Sequence, residues 1–138
     1  MEGVDALKAE REGKSRCPFC QIPETDIVAG NASHIVIRDR FPVSPGHSLI
    51  IPRRHVASLF ELTAEEFSDL HELLHTTRSQ LDAQYQPDGY NIGVNVGEAA
   101  GQTVFHLHVH VIPRYAGDCA DPRGGVRWIL PEKAVYWE

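Results

Sequence analysis

Apolar positions along the chain change period several times, and each change predicts an element. His34 to Arg38 alternates around Ile35 and Ile37, the two-residue period of a strand. Pro42, Pro45 and Gly46 then force a turn. Gly46 to Ile51 is a β-branched run closed by Pro52, a second strand. Thr63 followed by Glu66 is a capping box, and Phe67, Leu70, Leu74 and Leu81 recur at helical spacing through about Ala83. Pro87, Asp88 and Gly89 end that helix. Tyr90 to Val96 alternates again, with Ile92, Val94 and Val96 on one side and Asn91, Gly93 and Asn95 on the other. Thr103 to Ile112 is the strongest strand signal, ended by Pro113. At the margins, residues 2–12 predict a short amphipathic helix carrying Val4 and Leu7, Cys17 to Asp26 an irregular loop, and the tail from Gly117 an extended segment. Strand, strand, helix, strand, strand is the order of an α+β domain: an antiparallel sheet with a helix on one face.

Length, composition and charge narrow the class. The 138 residues suffice for one domain with a real core. No linker, repeat or low-complexity tract divides them, so residues 1–138 read as one domain, with a core over about 17–115 and a tail over 116–138. No segment approaches the ~20 apolar residues of a membrane span. The charged N-terminus (Glu2, Asp5, Lys8, Glu10, Arg11) lacks an apolar export signal. A cytoplasmic protein without a membrane partner is expected. The net charge is −6, from 13 basic and 19 acidic side chains, the opposite of a nucleic-acid binder's balance. An odd count of 3 cysteines argues against a disulfide scaffold. The outlier is histidine, present 8 times, a residue that serves as ligand, acid, base or nucleophile near neutral pH.

His106, His108 and His110 alternate with Leu107, Val109 and Val111. On a strand the histidines share one face while Phe105, Leu107, Val109 and Val111 point to the core. At ~3.3 Å per residue, neighbouring histidines stand ~6.6 Å apart and the outer two ~13 Å. A metal bonds nitrogen at ~2.0–2.1 Å, so all three reach one ion only if the strand breaks, and at least one has another task. The competing readings are a solvated strand face and a metallohydrolase site, which would want a nearby acid where Val111, Ile112 and Pro113 follow instead.

Other motifs carry alternatives too. Cys17-Pro18-Phe19-Cys20 is a C-x-x-C pair: a redox pair, two buried cysteines, or half of a tetrahedral zinc site completed from elsewhere. The redox motif normally follows an apolar strand and opens a helix, whereas Lys14-Ser15-Arg16 precedes this one and Pro23 follows. His71-Glu72-Leu73-Leu74-His75 matches the H-E-x-x-H of zinc proteases, yet lies on the flank of a helix whose apolar face is elsewhere. The plain reading is exposed helix histidines. His34 has no pattern and Cys119 no evident partner. Arg123 and Arg127, near a Gly-rich turn, have the reach for a polyphosphate or a partner subunit.

The run Gly101-Gln102-Thr103-Val104-Phe105-His106-Leu107-His108-Val109-His110-Val111-Ile112-Pro113-Arg114 resembles the signature of the histidine triad superfamily, and Pro45-Gly46-His47-Ser48-Leu49-Ile50-Ile51-Pro52 resembles its upstream motif. The resemblance runs from about Cys17 to Arg114 and is nearest to the fragile-histidine-triad and bacterial dinucleoside polyphosphate hydrolase branches. It implies an antiparallel sheet of about five strands with helices alongside, paired as a homodimer. The implied activity is a nucleotide hydrolase or transferase cleaving the α-phosphate of dinucleoside polyphosphates such as diadenosine tetraphosphate or triphosphate, adenine preferred. The runner-up is a nucleoside phosphoramidase, and a slowly turning nucleotide-binding signalling protein is a third reading.

By the same resemblance His108 attacks the α-phosphorus and forms a covalent nucleotidyl-histidine, which splits one hard displacement into two. His110 contacts phosphate or leaving group, and His47 stabilises equatorial oxygens, where phosphoryl transfer spreads its charge. Gln102 and Thr103 add neutral donors, Asn95 bonds phosphate or ribose, and Asp39 accepts the ribose hydroxyls, its plain alternative being a turn residue before Pro42. Bacterial members with an N-terminal cysteine pair bind a structural zinc, which here implies Cys17, Cys20, His55 and His106 as ligands.

Overall fold

The computed structural model describes residues 16–138; the short helix expected over residues 2–12 lies outside them. Among the described residues there are five strands: β1 Ile27–Gly30, β2 His34–Arg38, β3 Ser48–Pro52, β4 Gly89–Gly93 and β5 Val109–Arg114. They form one sheet in the order β1-β2-β3-β5-β4 with every neighbour antiparallel. The main helix, α1, spans Ala64–Tyr85. The fold is therefore α+β, as the element order implies. No helix among the described residues is long and apolar enough to cross a membrane.

Alternation sorts the strand residues onto two buried faces. Val36, Ile50, Val109 and Val111 pack under Leu70, Leu73 and Leu81 of α1. Ile35, Leu49 and Ile51 look the other way and are covered by Phe19, Ile22, Ile27 and Ile37. β3 is buried at every position because it lies mid-sheet with both faces covered. The face of α1 is set differently from the expected one: Leu70, Leu73, Thr77 and Leu81 are buried, whereas Phe67 is half exposed. Phe67 lies in the first turn, before the helix settles onto the sheet. The capping box is present, with Thr63 Oγ1 accepting from the Glu66 amide and Glu66 Oε1 accepting from the Thr63 amide. Arg54 grips the same Glu66 carboxylate through two hydrogen bonds of 2.7 and 3.0 Å, holding its pKa down to about 2. That grip pins the segment carrying His55 to the helix start.

Three strand boundaries differ from expectation, for related reasons. β5 begins at Val109, not Thr103. Upstream, the Leu107 amide donates to Val56 O and the His108 ring bonds back to His106 O, so no ladder forms there. β4 in turn stops at Gly93, opposite His110, because β5 offers no partner beyond, and Ile92 and Val96 on this edge stay substantially exposed. Pro113 does not end β5 but lies within it, opposite Tyr90. β3 pairs with β5 only between Ser48↔Val111 and Ile50↔Val109, so the missing N–H faces no ladder, and Pro113 O accepts from Ser44 Oγ instead.

The tail is not extended. It contains a 3₁₀ turn over Gly125–Ile129 and a short helix, α2, over Pro131–Ala134. Its arginines serve the tail itself. Arg123 pairs with Asp121 and lies over the Trp137 ring; Arg127 bonds the carbonyls of Lys133 and Ala134 and lies over Tyr136. His71 and His75 are exposed on α1 and belong to no cluster of three or more metal-capable side chains among the described residues.

His34 is fully buried at the start of β2. The Ser33 hydroxyl donates to Asp69 Oδ2 at 2.8 Å, so it accepts from His34 Nδ1–H at 2.9 Å. His34 Nε2 then carries no proton and finds no hydrogen-bond partner in the structure. Burial lowers the His34 pKa from its ordinary 6.5, with Glu66 and Asp69 opposing in part. The unfolded chain therefore binds a proton below about pH 6.5 that the folded chain resists, so stability falls as pH falls through that window. His34→Asn is expected to lose stability at neutral pH but to show a shallower decline towards acid, the difference approaching at most ~1.4 kcal/mol per pH unit. Thermal melts of both proteins between pH 7.5 and 5 read it; parallel slopes would refute it.

Candidate functional site

Two side-chain clusters flank β3: one at its Pro52 end, where the irregular chain before β5 carries His106, and one at its Ser48 end, where His47 meets His110 of β5. In the first, the ligand atoms of Cys17, Cys20, His55 and His106 all lie within 4.8 Å of one another. The Cys17 and Cys20 thiols stand 3.4 and 3.5 Å from His106 Nδ1, Cys20 Sγ is 3.1 Å from His55 Nδ1, and the two Nδ1 atoms are 3.2 Å apart. Tetrahedral zinc with ordinary bond lengths places sulfur and nitrogen ligands ~3.6 Å apart and two nitrogens ~3.4 Å apart. The donor set and its spacing fit zinc. The tautomer fits too. His106 Nε2–H donates to Pro52 O at 2.7 Å, which leaves the Nδ1 lone pair facing the cluster centre; metal-ligating histidines typically anchor their other nitrogen in this way. Cys17 and His106 are buried, and four protein donors leave no open coordination position.

The second cluster holds Asp39, His47 and His110. Its bonding suits proton sharing rather than a metal. The Val43 amide donates to His47 Nδ1 at 3.1 Å, so the His47 proton sits on Nε2. That proton is directed at His110 Nδ1, 2.9 Å away, with Asp39 Oδ2 at 3.3 Å. His110 thereby carries its own proton on Nε2. Asp39 also serves as a turn residue, its Oδ1 accepting from the Phe41 amide at 2.9 Å.

His108 stands between the clusters. Its Nδ1–H donates to His106 O at 2.9 Å, which leaves the Nε2 lone pair available. The His110 ring lies 5.2 Å from one side of it and the Phe19 ring 4.9 Å from another, centroid to centroid. Burial keeps these imidazoles neutral at pH 7. It lowers the pKa of His47 despite Asp39, lowers that of His108 despite the His106 carbonyl, and with His108 and His47 adjacent pushes His110 down to about 4.

Three candidates remain. Asn95 and Thr103 are exposed on the loop between β4 and β5. Gln102 turns inward. Its two amide hydrogens go to Ala57 O and Val104 O and its oxygen accepts from the Gly97 amide, so it braces the loop. Sequence reasoning passed over Phe19, the Val43 amide and the Pro52 carbonyl. Only Phe19 carries a signal, its place between the two cysteines; backbone groups carry none.

His47 depends on Gly46, whose φ is +90°. A Cβ there would stand 2.9 Å from Leu81 and 3.0 Å from Tyr85. Gly46→Ala is expected to cost about 2–4 kcal/mol from the left-handed backbone and overpacking together. It should also reduce activity by displacing His47; a melt and a rate measured on the same sample check both.

Comparison with known proteins identifies the family. An uncharacterized 16.1 kDa HIT-like protein of Mycoplasma pneumoniae is 36% identical over 113 residues, 79% of this chain and 78% of the relative. AP-4-A phosphorylase of Mycobacterium tuberculosis strain H37Rv is 34% identical over 107 residues, 73% of this chain and 55% of that protein. The crystal structure of a zinc-bound histidine triad family protein from Mycobacterium smegmatis superposes with a TM-score of 0.69 at 31% identity, covering 79% of this chain and 82% of that one. A family model for the HIT domain matches residues 21–117, and with relatives of this similarity behind it the chain belongs to the HIT family.

Proposed function

We propose that this protein is a nucleotidyl hydrolase or transferase that cleaves dinucleoside polyphosphates at the α-phosphorus through a covalent intermediate on His108. The observation that carries the reading is the His108 tautomer. A neutral imidazole tethered through Nδ1–H to His106 O presents an unprotonated Nε2, the state a nucleophile needs at pH 7. In the first step His108 Nε2 bonds to the α-phosphorus as the bond from phosphorus to the leaving oxygen breaks. His110 Nε2–H donates to the phosphate or the departing oxygen, and His47 Nε2–H supports His110 from behind. Preformed donors of this kind supply much of the stabilisation of phosphoryl transfer. In the second step water or another acceptor takes the nucleotidyl group and frees His108. Asp39 either accepts the ribose hydroxyls or orients His47, which its Oδ2 approaches.

The cysteine–histidine cluster is read as a structural zinc site that fixes the break before β5. AP-4-A phosphorylase supports a dinucleoside tetraphosphate as first substrate to try. A phosphoramidase remains the second reading, since the same His108 would serve a nitrogen leaving group. Pairing of two chains belongs to the same reading, and sedimentation equilibrium measures it.

Rapid quench of the enzyme with diadenosine tetraphosphate, followed by peptide mass mapping, should find a nucleotidyl adduct on His108. An adduct on another side chain would overturn the assignment. Comparing kcat/KM for the tetraphosphate and an adenosine phosphoramidate decides between leaving groups.

A further inference from the structure

The pair Cys17 and Cys20 does more than present two thiols. The turn between them, closed by the Cys20 amide on Cys17 O at 3.1 Å, projects Phe19 towards the histidine row. The Phe19 ring lies 4.9 Å from His108, tilted by 54°, and 6.1 Å edge-on from His106. The ring also packs against the buried cluster of Ile35, Leu49 and Ile51 in the sheet. His108 is thus held by one polar tether, Nδ1–H to His106 O, and by two rings, Phe19 and His110. The tether alone permits the imidazole to pivot about its own hydrogen bond. Ring packing restricts that pivot, and aromatic pairs contribute ~0.5–1.5 kcal/mol beyond the area they bury.

We infer that Phe19 is a positioning residue for His108: the cysteine turn carries a ring that holds the imidazole with Nδ1 on His106 O and Nε2 directed outward. Both connections from the metal-ligand cluster to His108 run through this chain's own atoms, one through the His106 carbonyl and one through the Phe19 ring. The inference rests on the proposed role of His108 only for its kinetic consequence. Its structural consequence, a His108 ring that loses its single orientation without Phe19, stands by itself.

Phe19→Ala and Phe19→Leu, both zinc-loaded and with metal content measured, test it. In protein labelled with ¹⁵N-histidine, His108 is identified by the signal that His108→Ala removes. In Phe19→Ala, with metal retained, the His108 Nδ1–H signal should exchange faster with water and the ring nitrogens should report mixed tautomers. With diadenosine tetraphosphate, kcat should fall roughly 10–100-fold, the scale of a slightly misplaced reacting group, with KM changed less than about threefold. Phe19→Leu, which keeps apolar volume, should recover part of both readouts. Unchanged His108 signals in Phe19→Ala would overturn the inference. So would a loss that tracks metal release, which makes Phe19 merely structural, or a rise in KM alone, which makes it a substrate contact. If wild-type protein forms no adduct yet the His108 signals respond as stated, the proposed reaction fails and the positioning role survives.

Discussion

His108→Ala is expected to lower kcat by about 10⁴-fold or more while leaving the fold intact, the scale seen when a nucleophile acting within a catalytic unit is removed. The ring is only partly buried and packs between Phe19 and His110, so its loss leaves the sheet core untouched. No covalent adduct should form, and substrate binding should persist, because the phosphate donor on His110 Nε2, backed by His47, remains. His110→Ala should cost less, on the order of 10²–10³-fold, the usual cost of one lost charge-stabilising donor. A His108→Ala enzyme that binds diadenosine tetraphosphate tightly and turns it over at the parent rate would mark the protein as a nucleotide-binding module instead.

Cys17→Ser is expected to abolish stoichiometric zinc binding and lower Tm by ~10–16 °C. Loss of a metal site belongs with the largest single-residue effects, about 4 kcal/mol or more, and each kcal/mol shifts Tm by a few degrees at this chain length. The mechanism is specific. Cys17 is 3% exposed, and its thiol faces a histidine whose ring also holds Pro52 O. With the metal removed, four donors crowded within 4.8 Å have no common partner. The segment before β5 then loses its anchor. Chelation of the parent protein should give the same Tm as the variant; a chelated protein that melts with the untreated one would sink the structural-zinc reading.

Much of this was legible in the sequence. Period-two alternation found β2, a β-branched run closed by Pro52 found β3, and a capping box with helical spacing found α1, because each depends on residues close in the chain. The distance argument on His106, His108 and His110 held that all three reach one ion only if the strand breaks, so that at least one has another task. The structure sets His106 among the cysteines and His110 beside His47, and β5 starts only at Val109. Boundaries set by distant contacts were not legible. Thr103 to His108 has strand composition, yet it lies where backbone bonds go to Val56 and side chains to the cysteine turn, so tertiary bonding overrode local preference. The extended tail failed similarly, since its arginines find carbonyls and aromatic rings within the tail itself. Gln102 has the composition of a phosphate donor, but loop geometry turns its amide onto backbone carbonyls.

The sequence alone determined the α+β class, the histidine row, and that its three members cannot share one ion on an unbroken strand, because side-chain period and reach along a strand are local quantities. Only the tertiary structure decided the protonation pattern: His106 with its lone pair towards the cysteines, His108 with Nε2 bare, and His47 donating to His110. A histidine's tautomer follows from what its other nitrogen touches. Here those partners are the carbonyls of Pro52 and His106 and the amide of Val43, backbone groups present at every residue and therefore invisible until folding brings one of them to the ring.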